Sequence, residues 1–108
     1  MANFKTKVTG TVSGAAVVAS TDFRHLANGA CGVQVVGAFS GTLLIEASMD
    51  GTNFGTYAFV DCSTGATAAS ITTAGQYRTE LVGVQGVRVR CSAYTSGTPA
   101  VTLVVQSN

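Results

Sequence analysis

Gly83-Val84-Gln85-Gly86-Val87-Arg88-Val89-Arg90-Cys91-Ser92-Ala93-Tyr94-Thr95-Ser96-Gly97-Thr98-Pro99-Ala100-Val101-Thr102-Leu103-Val104-Val105 is the stretch on which the fold turns. Within it Val87, Val89, Cys91 and Ala93 alternate with Arg88, Arg90, Ser92 and Tyr94. Successive side chains of an extended chain point to opposite sides, so this period puts one set in a core and the other in water. The next apolar run, Val101 to Val105, follows Thr95-Ser96-Gly97-Thr98-Pro99. Gly in that cluster accommodates positive φ, and Pro cannot join a central ladder. The two runs are therefore expected to pair as a hairpin.

Upstream, residues 4–12 read as a first strand, with Phe4, Thr6, Val8 and Gly10 on one face and Lys5, Lys7, Thr9 and Thr11 on the other. Lysines suit a sheet edge, where they discourage unwanted pairing. Ser13-Gly14 turns the chain, residues 15–19 read as a short buried strand, and residues 20–26 are equally compatible with a strand or one helical turn capped by Ser20 or Thr21. Ala27-Asn28-Gly29-Ala30 is a turn by composition, before strands over residues 31–39 and 42–48. Asp50-Gly51 is a strong hairpin signal, because both residues adopt the positive φ that a tight turn demands, and residues 56–60 are its returning strand. Residues 61–69 are expected to form a loop, 70–74 a brief strand, and 76–82 a strand ending at Gly83. Roughly seven to nine short strands, with no long helical period, predict an all-β fold, an antiparallel, jelly-roll-like β-sandwich. The 108 residues make a single domain spanning the chain. Residues 1–7 are either an ordinary first strand or an N-terminal arm added to a neighbour's sheet edge.

Charged residues make up 10% of the chain, against about 25% in an average soluble domain, while the apolar share of 46% is ordinary. Thr, Ser and Gly take the place of the missing charge. Such a surface loses little rotamer entropy when covered and carries few charges that are costly to desolvate, which suits burial by other subunits as well as a plain Thr-rich β domain. A formal net charge of +1 provides no field to gather a polyanion, which argues against nucleic acid and membrane surfaces as partners. Cys31, Cys62 and Cys91 are widely spaced, with no Cys-x-x-Cys pair, and are expected to be reduced, buried small hydrophobes; one bridge with a thiol left over is the alternative. The apolar patch at residues 15–19 is too short for a signal peptide, and no run approaches the ~18 residues of a membrane span. Synthesis and folding in a cytoplasm are expected.

No catalytic constellation emerges. His25, beside Asp22 and Arg24, is the one histidine, but no Gly-x-Ser-x-Gly turn accompanies it. The carboxylates Asp22, Glu46, Asp50, Asp61 and Glu80 are scattered. Asp50-Gly51-Thr52-Asn53 lacks the several acidic ligands of a calcium loop and reads as a turn. The chain is expected not to be an enzyme and to need no cofactor, metal or small-molecule substrate. The candidate partner contacts are Phe4, Lys5, Lys7, Arg78, Arg88, Arg90 and Tyr94. Arg88 and Arg90, with Arg78 across the sheet, make a basic stripe if their faces are exposed, and Arg suits carboxylate-bearing interfaces. Solvated strand faces without a partner are the alternative. Tyr94 and Tyr77 are interface anchors or close the ends of the sandwich.

Gly41-Thr42-Leu43-Leu44-Ile45-Glu46, continuing into Ala47-Ser48-Met49-Asp50-Gly51-Thr52-Asn53-Phe54, then Gly75-Gln76-Tyr77, then Val87 through Thr98, resembles a β-sandwich module of tailed-bacteriophage virion proteins. The resemblance covers about residues 37–105, and Phe54 stands where the family often carries Trp. The module occurs in small head-decoration (cement) proteins and in tail or fibre components. It implies a structural protein on the outer capsid surface, bound to the major capsid protein where capsomers meet, often as a homotrimer. The alternative it implies is a tail or fibre module that binds host-surface glycans, against which the absence of Trp weighs.

Overall fold

The computed structural model describes residues 4–107, and the side chains of all of these except Phe4, residues 22–28 and Ser107. The expectations placed on Phe4, Asp22, Arg24 and His25 as side chains, and on residues 1–3 of the arm, therefore lie outside the described residues.

Apolar and polar residues alternate along most of the chain, and the result is eight strands with no helix among the described residues. They are β1 (Phe4–Thr11), β2 (Val17–Val36), β3 (Phe39–Ser48), β4 (Gly55–Thr56), β5 (Phe59–Asp61), β6 (Thr67–Ala68), β7 (Gly75–Gly97) and β8 (Ala100–Ser107). All join one antiparallel sheet in the order β1-β8-β2-β7-β3-β4, with β5 bonded to both β6 and β7. The all-β antiparallel fold follows the sequence reading. The expectation of uniformly short strands does not hold, because β2 and β7 are 20 and 23 residues long.

Those two strands each serve two halves of the sheet. Residues 29–36 of β2 lie between β8 and the first part of β7, whereas residues 17–22 pair with residues 86–90 of β7, beside β3. The β2–β7 register slips between Val17 and Ala19, between Asp22 and Ala27, and between Ala27 and Gly29. Such irregularities bend a strand and increase its twist. The sheet turns at this seam, and its halves cover one another. One half contributes Cys31, Val33, Val35, Tyr77, Leu81, Val101, Leu103 and Val105 to the core, and the other Ala19, Leu43, Ile45, Val87, Val89 and Cys91, in one cluster. Full burial of Leu43, Val89 and Leu103 requires this mutual cover, since an open layer would leave such side chains wet.

Several local expectations are corrected. Gly83 is not a break; it sits at φ +66° inside continuous β7, where the buried positions shift from Tyr77 and Leu81 to Val84 and then to Val87 and Val89. Gly29 and Ala30 are strand rather than turn, because β7 and β8 flank them on both sides. β8 does not form a hairpin with β7. It pairs with β1 and β2, and the Thr98-Pro99 link carries the chain from the half holding β3 to the half holding β1. The chain reverses at Asp50-Gly51, but only Gly51 takes positive φ, and the connection between β3 and β4 is six residues long. Of the expected returning strand 56–60 only Thr56, with Gly55 before it, pairs with β3, while Phe59 and Val60 belong to β5, which pairs with β6 and β7. The expected loop over 61–69 contains β6, and the strand expected at 70–74 reduces to a bridge in which Ile71 and Leu43 exchange two 2.8 Å backbone bonds.

Candidate interaction face

Arg88 and Arg90 alternate outward on β7, and Glu46 lies on the adjacent β3, opposite Arg88. Arg88 Nε donates to Glu46 Oε1 at 2.7 Å and Arg90 Nε to Oε2 at 3.0 Å, so one carboxylate is held by two guanidinium groups. Glu46 is only 4% exposed. Burial pushes its carboxyl pKa up, but the bonds and charges of the two arginines outweigh this and hold it below its ordinary value. The Arg88 guanidinium carbon also stands 4.2 Å from the centre of the Phe54 ring, which ties down the 49–54 connection. At the start of that connection Ser48 Oγ donates to Asp50 Oδ1 and accepts from Gly51 N, while Asp50 also accepts from Thr52 N, Asn53 N and Asn53 Nδ2. Donors from Asn53, Thr52 and Ser48 hold the Asp50 carboxyl well below the usual carboxylate range. This cluster satisfies itself. The two arginines are committed within the chain and are not joined by Arg78, which lies on the other half of β7.

Arg78 belongs to a different surface, laid out by register. Lys7 of β1 faces Val104 of β8, Val104 faces Gly32 of β2, Gly32 faces Arg78 of β7, and Arg78 faces Val60 of β5. The adjacent row runs Lys5, Gln106, Ala30, Glu80, and the next runs Thr9, Thr102, Gln34, Gln76. Directly opposed residues share a face, so these rows form one outer face of the sheet. Its centre holds Gly32, Ala30 and Gln34 of β2 beside Val104, Gln106 and Thr102 of β8. Val36, Val82 and Val104 on the same side are 59%, 65% and 41% exposed. Two grooves open on this face. One of about 880 Å³ runs past Ala30, Tyr57, Val60, Arg78, Glu80 and Val82, and one of about 280 Å³ past Gly32, Gln34, Cys62, Arg78, Thr102 and Val104. They meet at Arg78.

Of the residues singled out from sequence, Lys5, Lys7 and Arg78 thus fall on one face. Gly32, Glu80 and Val104, which complete it, carry no local signal; only the four-strand register brings them together. Tyr94 is half-buried against the core, and its hydroxyl donates to Gly97 O at 2.7 Å. Tyr77 is buried, donates to Thr73 O at 2.7 Å and meets Phe59 edge to face at 5.5 Å. Both hydroxyls are thus satisfied within the chain. Cys31 and Cys91 are buried, as expected, but Cys62 is exposed, and the three are unpaired. Burial pushes the Cys31 thiol up to about 12. Among the described residues no three His, Cys, Asp or Glu side chains converge in the manner of a metal site.

No family model and no curated protein matches the chain. Solved structures do. The SPBc2 prophage-derived protein YomS is similar with a TM-score of 0.80 at 15% identity, over 99% of this chain and 96% of that one. The PBSX exported protein XepA is similar with a TM-score of 0.78 at 17% identity, over 99% of this chain and 39% of that one. The fold is thus shared end to end with a phage-derived protein of nearly equal extent, and it also forms a part of a longer one.

Proposed function

We propose that the chain is a non-enzymatic bacteriophage virion protein that decorates the capsid, binding the major capsid protein at capsomer junctions through its outer sheet face. The observation that carries this reading is that face, where the small side chains of Ala30, Gly32 and Thr102 lose little entropy on burial and lie among the cations Lys5, Lys7 and Arg78, with Glu80 beside them. The likeness to two phage-derived structures supports a phage setting. A decoration protein stabilises a shell by binding its assembled form more tightly than its separate parts, so it needs affinity and no chemistry. As a trimer, each copy would commit about 800 Å² to a standard interface, a sizeable part of its 5839 Å² of accessible surface.

The test is to separate intact heads from tails and locate the chain, then to build it into cryo-electron microscopy density of the virion. Density on outward protrusions at capsomer junctions, with the outer face turned toward the shell, is the expected result. Recovery with tails alone would overturn the reading and make host-surface glycans the ligands to assay.

A further inference from the structure

Among the described residues, Lys5, Lys7, Arg78 and Glu80 are the charged side chains with no ion pair or hydrogen bond inside the chain; Glu46, Arg88 and Arg90 hold one another, and Asp50 and Asp61 are bound within their turns. All four unpaired charges occupy the outer face, in two adjacent cross-strand rows. Lys7 and Arg78 stand in the same row, with Val104 and Gly32 between them, so three inter-strand spacings of about 4.8 Å set their strands about 14 Å apart. The position above Gly32 is open. A Cβ built there would meet nothing nearer than Tyr77 O at 3.9 Å, and both grooves run past the flanking Arg78. The row is therefore a shallow trough with a cation at each end and a small apolar floor.

An extended segment laid along this trough advances about 3.3 Å per residue, so its residues i and i+4 span about 13 Å and point to the same side as i+2. We infer that the outer face docks an extended acidic protein segment, with carboxylates at i and i+4 received by Lys7 and Arg78 and a small or apolar side chain at i+2 seated over Gly32. Glu80 supplies the selectivity. It stands two residues along β7 from Arg78, in the row of Lys5, and repels a uniformly anionic surface such as a bilayer, while a patterned protein segment avoids it. This deepens the proposed function by naming the chemistry of the capsid contact, and it rests on that reading only in taking the outer face as the binding face.

The experiment titrates the full chain with a peptide containing Asp-Thr-Val-Thr-Asp, following backbone amide shifts, with Asn-Thr-Val-Thr-Asn and phosphatidylglycerol vesicles in parallel. Shifts centred on Gly32, Arg78 and Val104 are expected with the acidic peptide alone. Affinity should weaken by about tenfold or more in Lys7→Glu/Arg78→Glu and fall with added salt, as for charge-matched contacts. Gly32→Leu, which fills the trough at a position with room for a side chain, should also weaken it while the melting temperature is kept. Absence of binding, equal binding of the Asn peptide, equal binding to the double variant, or vesicle binding of similar strength would each overturn the inference. Heads that bind wild type and Lys7→Glu/Arg78→Glu equally would sink the inference and leave decoration standing. A specific peptide response without binding to heads would do the reverse.

Discussion

The Glu46 carboxylate, shared between the Nε atoms of Arg88 and Arg90 and nearly out of water, is where a one-atom change should be felt most. Glu46→Gln removes the charge while keeping the shape, leaving two guanidinium groups facing a neutral amide. Because both arginines are partly exposed, water recovers some of the loss, and a cost of about 1–3 kcal/mol is expected in urea unfolding. The same carboxylate sets an acid limb. Its pKa is lowered on folding, so its contribution is fully present above the unfolded value near pH 4.5 and is lost as pH falls through the lower folded value. The lowered Asp50 and Asp61 carboxyls act with the same sign. Stability should therefore decline below about pH 4.5, and Glu46→Gln should flatten part of that decline, as followed by urea midpoints against pH. The thiols separate by burial. A thiol-specific reagent such as Ellman's should modify Cys62 in the native protein, with Cys31 and Cys91 reacting only after unfolding. Arg88 and Arg90 were legible as an outward pair; their commitment to Glu46, 42 and 44 residues away, was not, because it depends on which strands become neighbours.

Elements were read well where their signals are local. The Asp50-Gly51 turn is visible in sequence because the Asp50 carboxylate caps amides two and three residues on. β1 is visible because its lysines alternate outward at an edge. Gly83 and Gly29 misled for one reason: glycine marks both the turn that ends a strand and the kink that lets a long strand change phase, and only the flanking partners decide which. The segment after β7 misled because turn-forming residues show that the chain reverses, not which strand it lands beside. Gly97 carries that crossing at φ +97°, and a Cβ there would lie 2.6 Å from Ala38 O and 2.7 Å from Phe39 Cα. Gly97→Ala is expected to cost about 2–4 kcal/mol, measured by thermal or denaturant unfolding, because both backbone strain and overlap must be relieved. Gly14→Ala is the matched comparison. Gly14 has an unstrained φ and nothing within 4 Å of its added methyl, so it should stay within about 0.5 kcal/mol of wild type.

At the scale of the molecule, the outer face shows why a binding surface on a sheet is hard to see in a sequence. Lys7, Val104, Gly32 and Arg78 are adjacent in space and drawn from four strands spread over most of the chain, so no window contains the site. The composition could report that such a surface was cheap to cover, but not where it was. The outermost pairing of all has a different consequence. β1 runs along β8 with Phe4 opposite Ser107, so both ends of the described chain leave from one corner. A short Gly-Ser link joining them, with new ends opened between Ser63 and Thr64 in the exposed connection from β5 to β6, should give a circular permutant with an unchanged far-ultraviolet spectrum and a loss of no more than about 2 kcal/mol in urea unfolding. In assembly terms the domain is a cartridge with its two leads side by side, able to be spliced into the surface loop of a larger protein without parting the host's own chain.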